Sequence, residues 1–191
     1  MIKKSEYQNK TTPPPLGRNS MKKRLVCTAL FVVVIFMCLG NICAAEHADP
    51  VFDGRSWKLG WSENKDGAVY EEYVLDGESV EAWSELVTVQ FFPGLQKNTT
   101  PDIYEASVKA SLTSVCPSIQ WESIYQTNDD RMWKWSITGT PGQEDQSEIA
   151  RLKRTNEGFH LWHYAIKKAP FPSDKEKTWV EKLKTIVIKS E

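Results

Sequence analysis

From Ser56 the chain alternates: Trp57, Leu59 and Trp61 fall on one side of a two-residue period, Ser56, Lys58 and Ser62 on the other. That is the pattern of a half-buried strand. Asn64-Lys65-Asp66-Gly67 supplies turn chemistry before Val69 to Leu75, so a β-hairpin is predicted. A second turn at Asp76-Gly77 leads into Glu78 to Glu85, read as a short helical turn, and then into the β-rich run Leu86 to Phe92, which Pro93-Gly94 ends.

The period then changes. Thr99 and Thr100 offer caps, Pro101 suits a first helical turn, and Tyr104, Val108, Leu112 and Val115 recur every three or four residues. This predicts a helix of about four turns that stops at Cys116, because Pro117 disfavours helical geometry in the residue before it. Four strands are predicted next, at Ile119 to Gln126, Met132 to Thr138, Glu148 to Thr155 and Phe159 to Lys167. Their short, turn-like connections favour antiparallel neighbours. Phe159 to Ile166 is apolar on both alternations, so it belongs at the centre of the sheet. After Ala169-Pro170-Phe171-Pro172, Ser173 and Glu176 have the spacing of a capping box, and Trp179, Leu183, Ile186 and Val187 form one stripe of a last helix. The order βββαββββα predicts an α+β fold: a single antiparallel sheet of about six or seven strands packed with two helices.

A different apolar pattern precedes this domain. Met21-Lys-Lys-Arg24 opens onto Leu25 to Leu39, free of charge and proline, followed by a small-residue exit at Cys43-Ala44-Ala45. This is the build of a secretory signal peptide over residues 21–45, with cleavage after Ala45. Retention as a membrane anchor is the alternative, although about 20 apolar residues are normally needed and the run reaches that length only by including Gly40 and Asn41. A lipid-modified cysteine fits less well, because Gly40-Asn41-Ile42 precedes Cys43 and Met37 precedes Cys38. Residues 1–20, with Pro13-Pro14-Pro15, are either a disordered leader or a misassigned start ahead of Met21. Residues 46–191 are then one globular α+β domain, exported to the periplasm or secreted, meeting the membrane only through its signal.

The leader changes how the composition reads. The whole chain has 24 basic and 25 acidic residues, but residues 46–191 hold 17 and 24, a formal net of −7. Such a surface is a poor partner for nucleic acid. The acid is concentrated in residues 46–105, with 13 acidic against 4 basic residues, which favours cationic partners there or simply a solvated acidic face. Cys27, Cys38 and Cys43 belong to the leader, so a processed chain keeps Cys116 alone and is expected to fold without an intrachain disulfide, with Cys116 as a small apolar residue at a helix end.

No catalytic, cofactor-binding or metal-ligating motif emerges. The serines lie in no Gly-x-Ser-x-Gly elbow, and neither a phosphate-cradling loop nor a nucleotide fingerprint is present. His160 and His163, three apart on a strand, point to opposite faces and cannot share one ion. Glu71-Glu72 diverge for the same reason, so paired-carboxylate chemistry would have to assemble in the fold. Eight tryptophans suggest core packing for most. Trp83 is the exception, standing among Glu78, Glu81 and Glu85, and these four form the candidate partner surface.

Gly77 to Gln90, containing Trp83-Ser84-Glu85-Leu86 ahead of a strand, resembles small exported bacterial proteins of unknown function with a Trp-Ser/Thr-Glu-Leu segment, over about a dozen residues. The element order is similar to the layered antiparallel fold of PsbP-type proteins, the extrinsic photosystem subunits and their bacterial relatives. That resemblance implies a non-enzymatic accessory or binding role. The expectation is an envelope protein that binds a protein or small-molecule partner, with two alternatives: a hydrolase whose carboxylates meet only in the fold, and a membrane-anchored periplasmic domain.

Overall fold

A computed structural model of the chain describes residues 52–187 except 141 and 143. The predicted signal segment, its cleavage point and the first twenty residues lie outside the described residues. Seven strands form one fully antiparallel sheet: β1 (Trp57–Lys65), β2 (Ala68–Leu75), β3 (Glu85–Pro93), β4 (Gln120–Gln126), β5 (Asp130–Ile137), β6 (Gln146–Arg154) and β7 (Gly158–Ile166), in the spatial order β1-β2-β3-β7-β6-β5-β4. Two meanders thus meet where β3 pairs with β7 from Glu85↔Ile166 to Pro93↔Gly158. The doubly apolar strand occupies the centre, as its pattern requires. A Cβ on Gly158 would collide with the Phe92 carbonyl, so glycine lets the two meanders close on each other. At the β1–β2 turn Asp66 and Gly67 both take positive φ, 54° and 81°, which matches the twist of a two-residue hairpin loop.

Helices cover opposite faces. On the first face α2 (Ser173–Thr185) inserts Trp179 and Leu183 among Trp57, Tyr73, Val87, Ile149, Tyr164 and Ile166. Trp179 stacks on Tyr164, with ring centroids 3.9 Å apart and planes within 9°, and meets Trp57 edge-on at 5.8 Å. On the second face α1 (Pro101–Val115) lays its predicted stripe of Tyr104, Val108, Leu112 and Val115 over Trp133, Trp135, Ile137, Leu152, Phe159 and Leu161. Six of the eight tryptophans are buried; Trp61 and Trp121 are half-exposed.

Several local expectations are corrected. Residues 78–85 form no helix: a turn closed by an isolated Ser79–Ala82 bridge, with Gly77 at φ 87°, links β2 to β3. A β-bulge between Leu59 and Trp61 breaks the alternation of β1, so Leu59 keeps the face of Trp57 while Trp61 moves to the other, opposite Glu72. The capping box at α2 does not form. The N-cap is Pro172, and Glu176 pairs with Lys134 of β5 instead, since an ion pair with a half-buried partner outcompetes a solvent-facing cap. Val187, predicted on the helix stripe, lies beyond the helix end and is 81% exposed. Cys116, the C-cap of α1, is wholly buried and is disulfide-bonded in the full-length chain; Cys27, Cys38 and Cys43, which a processed chain would lack, lie outside the described residues.

Candidate functional site

The four residues expected to form a partner surface separate. Trp83 is 8% exposed and packs with Val74 and Ala165, its ring 5.0 Å from the Lys167 ammonium. Glu85 is also 8% exposed, and its carboxylate accepts from Arg55 Nη1 at 3.0 Å, Lys175 Nζ at 3.0 Å, Arg55 Nη2 and the Tyr164 hydroxyl. Burial is the largest influence on the Glu85 carboxyl and pushes its pKa up, but the bonds from Arg55, Tyr164 and Lys175 outweigh it and hold the group below its ordinary range. Glu78 is half-buried and accepts from the Ser84 backbone N–H at 2.8 Å, fastening the turn; Glu81 is exposed. Two of the four are therefore internal supports. Glu85, Val87 and Val89 share the inward side of β3, an alternation that marks Glu85 as inward-facing from the sequence alone.

A second charge network closes the same first face. Arg151 donates through Nε and Nη2 to Asp130 at 3.0 and 2.7 Å, while its Nη1 donates to the carbonyls of Leu183, Lys184 and Ile186 at the end of α2. A guanidinium thereby satisfies terminal carbonyls that have no partner within the helix. Burial pushes Asp130 up, yet the Arg151 and Tyr125 bonds hold it below its usual value, and Tyr125 is pushed up to about 12 by burial and by Asp130.

The second face differs. Strand register sets three polar rows across β2, β3, β7 and β6: Tyr70–Gln90–Leu161, Glu72–Thr88–His163–Ala150, and Val74–Leu86–Ala165–Glu148. The α1 cluster reaches Phe92 and Leu161; the 78–84 turn covers Val74, Leu86 and Ala165. Glu72, Thr88 and His163 lie between these two covers, with Trp61 opposite Glu72. His163 is 3% exposed, and its Nδ1 stands 2.7 Å from Glu148 Oε1, which also accepts from Trp135 Nε1 at 3.2 Å.

Two acceptors on this strip are unmatched among the described residues. Gln90 is 5% exposed and its Oε1 meets no donor. Glu72 is half-buried with no hydrogen bond or ion pair; burial raises its carboxyl pKa, and His163 opposes the shift only in part. Burial and then the charges of Glu63 and Asp66 raise the Tyr70 phenol, so the field around this ring is negative. Buried acceptors without donors are costly and cluster where a molecule binds. The sequence reading set Glu72 aside with Glu71 and missed Gln90 and Glu148, because their placement depends on the β2–β3, β3–β7 and β6–β7 registers. Among the described residues no three His, Cys, Asp or Glu side chains are grouped to hold a metal ion, and no helix is long and apolar enough to cross a membrane.

The fold and this strip define a seven-stranded α+β domain with ion pairs closing one sheet face and a polar band lying between two covers on the other. A model of a family of uncharacterised proteins matches residues 50–191, and the chain belongs to that family. No curated protein and no solved structure matches it.

Proposed function

We propose that this is an exported protein that acts by binding, as an accessory or assembly factor of the cell envelope, through the polar strip of the second face. The observation that carries this reading is the pair of unmatched acceptors, Glu72 and Gln90 Oε1, on a strip bordered by Trp61 and Tyr70. Stability alone gives no reason to keep them. The apolar run at residues 25–39 supports export to the periplasm or beyond, and the order of elements supports a PsbP-like accessory arrangement.

The direct test is crosslinking of the exported protein in envelope extract. A stable adduct mapping to strands β2 and β3 is the expected result; turnover of a hydrolysable substrate, abolished by Glu72→Gln, would replace binding with the hydrolase reading. Retention of the leader as an uncleaved anchor is the remaining alternative. Amino-terminal sequencing of the exported protein decides it: a start at Glu46 shows cleavage, and a start at Met21 or Met1 in the membrane fraction shows an anchor.

A further inference from the structure

We propose that the strip on the second face takes an organic ammonium group, held by Glu72 and by Gln90 Oε1 and flanked by the rings of Trp61 and Tyr70. This deepens the binding role proposed above and rests on it. The assignment follows from what the site lacks and what it offers. Gln90 Oε1 is buried without a donor and Glu72 has no hydrogen bond or ion pair among the described residues, so a ligand that brings donors or positive charge would satisfy both. Trp61 lies directly across from Glu72, and Tyr70 stands two residues from it on the same face of β2, with Gln90 as its cross-strand partner. Aromatic faces beside a carboxylate are the arrangement that recognises ammonium groups, because the ring quadrupole and the anion attract the same charge. Glu63 opposes Tyr70 from β1 and Asp66 lies at the hairpin tip, and together they extend the negative field to the rim.

The competing ligand classes fit less well. An anion would face Glu72 with its nearest imidazole already engaged by Glu148 at 2.7 Å. A metal ion lacks its donor set among the described residues. A neutral sugar could stack on Trp61, yet it would leave a half-buried carboxylate uncompensated, which is the expensive state. The general acidity of residues 46–105 now has a local focus, since Glu63, Asp66 and Glu72 converge on one aromatic pair while Glu85 and Asp53 are consumed by Arg55.

The test is a titration of the exported, uniformly labelled protein, read on the Trp61 indole N–H and the Glu72 and Thr88 amides. The probes are choline, butylammonium, the neutral choline isostere 3,3-dimethylbutan-1-ol, glucose and glutarate. The expected result is a saturable shift with both ammonium probes, at a midpoint about tenfold or more below that of the isostere. Glu72→Gln raises that midpoint about tenfold, Gln90→Leu raises it severalfold, and Glu181→Gln on the exposed side of α2 leaves it unchanged. Where a variant does not fold, the salt dependence on the unaltered protein decides: the ammonium midpoint rises steeply between low and high ionic strength, because the pairing is screened. Equal response to the isostere, or no salt dependence, overturns the ammonium assignment. Shifts with glucose or glutarate alone overturn it while leaving the binding role intact. If neither the probes nor envelope extract move these resonances, the binding role falls with it.

Discussion

The two faces of the sheet treat their central strand carboxylates differently, although the second face also holds the paired Arg131–Glu105 and the first holds Trp179 Nε1 without a partner among the described residues. On the first, each buried charge has its complement: Glu85 gathers Arg55, Lys175 and Tyr164, and Asp130 meets Arg151, which also ties down the end of α2. On the second, Glu72 and Gln90 are drawn into the same sheet without donors. The difference separates two tasks within one fold. Saturated charges fasten the termini of the domain, Phe52–Trp57 at one end and α2 at the other, onto the central strands. Unsaturated ones gain nothing in the free protein and are read as a site.

Substitutions should break that contrast in a graded order. Trp179→Ala removes the ring stacked between Tyr164 and Trp57 and should cost about 4 kcal/mol in denaturant unfolding. Glu85→Ala leaves Arg55, Lys175 and the Tyr164 hydroxyl facing an empty acceptor and should cost about 3 kcal/mol. Acid should act on the same groups. Glu85 and Asp130 titrate below their ordinary 4.5 and 3.8, so their stabilisation is full above those values and is lost as pH falls through the lowered native ones. Denaturant midpoints measured from pH 7 to pH 2 should therefore drop steeply in the acid range, and Glu85→Ala should flatten the drop.

Glu72 has the opposite sign. Its native pKa lies above the ordinary 4.5, so it favours the fold below that value and loses this contribution as pH rises through the raised one. Glu72→Gln should consequently stabilise the protein at pH 7, by less than about 1 kcal/mol. A destabilisation comparable to that of Glu85→Ala would erase the distinction between the faces.

Strand alternation, the α1 stripe and the turn residues made the strand count, the first helix and the central place of β7 legible in the chain. These are features decided by neighbours two to four residues apart. What escaped depends on residues far apart in sequence. Glu85 was grouped with Glu78 and Glu81 although its alternation with Val87 and Val89 marks it as inward-facing; the partners that hold it there stand 30, 79 and 90 residues away and left no local sign. Glu176 had cap spacing, but Lys134, 42 residues distant, claimed it. The helical reading of residues 78–85 failed because Gly77 and the Ser79–Ala82 bridge turn the chain back within four residues. For the strip, no local pattern could place Glu72 and Gln90 in line with His163; only the register of β2 on β3 and of β3 on β7 does so.

The bulge that turned Trp61 toward Glu72 has a counterpart. Within the described ladders, the irregular registers fall between Leu59 and Trp61 in β1 and between Ser123 and Tyr125 in β4, the two outermost strands. Each interrupts the row of free backbone groups on which another chain would have to align. In the β1 bulge, a Cβ on Gly60 would press on the Val80 side chain, so the kink is braced by the β2–β3 turn. Among the described residues both margins of the sheet are kinked, and a kinked margin is a poor template for main-chain pairing with a second chain.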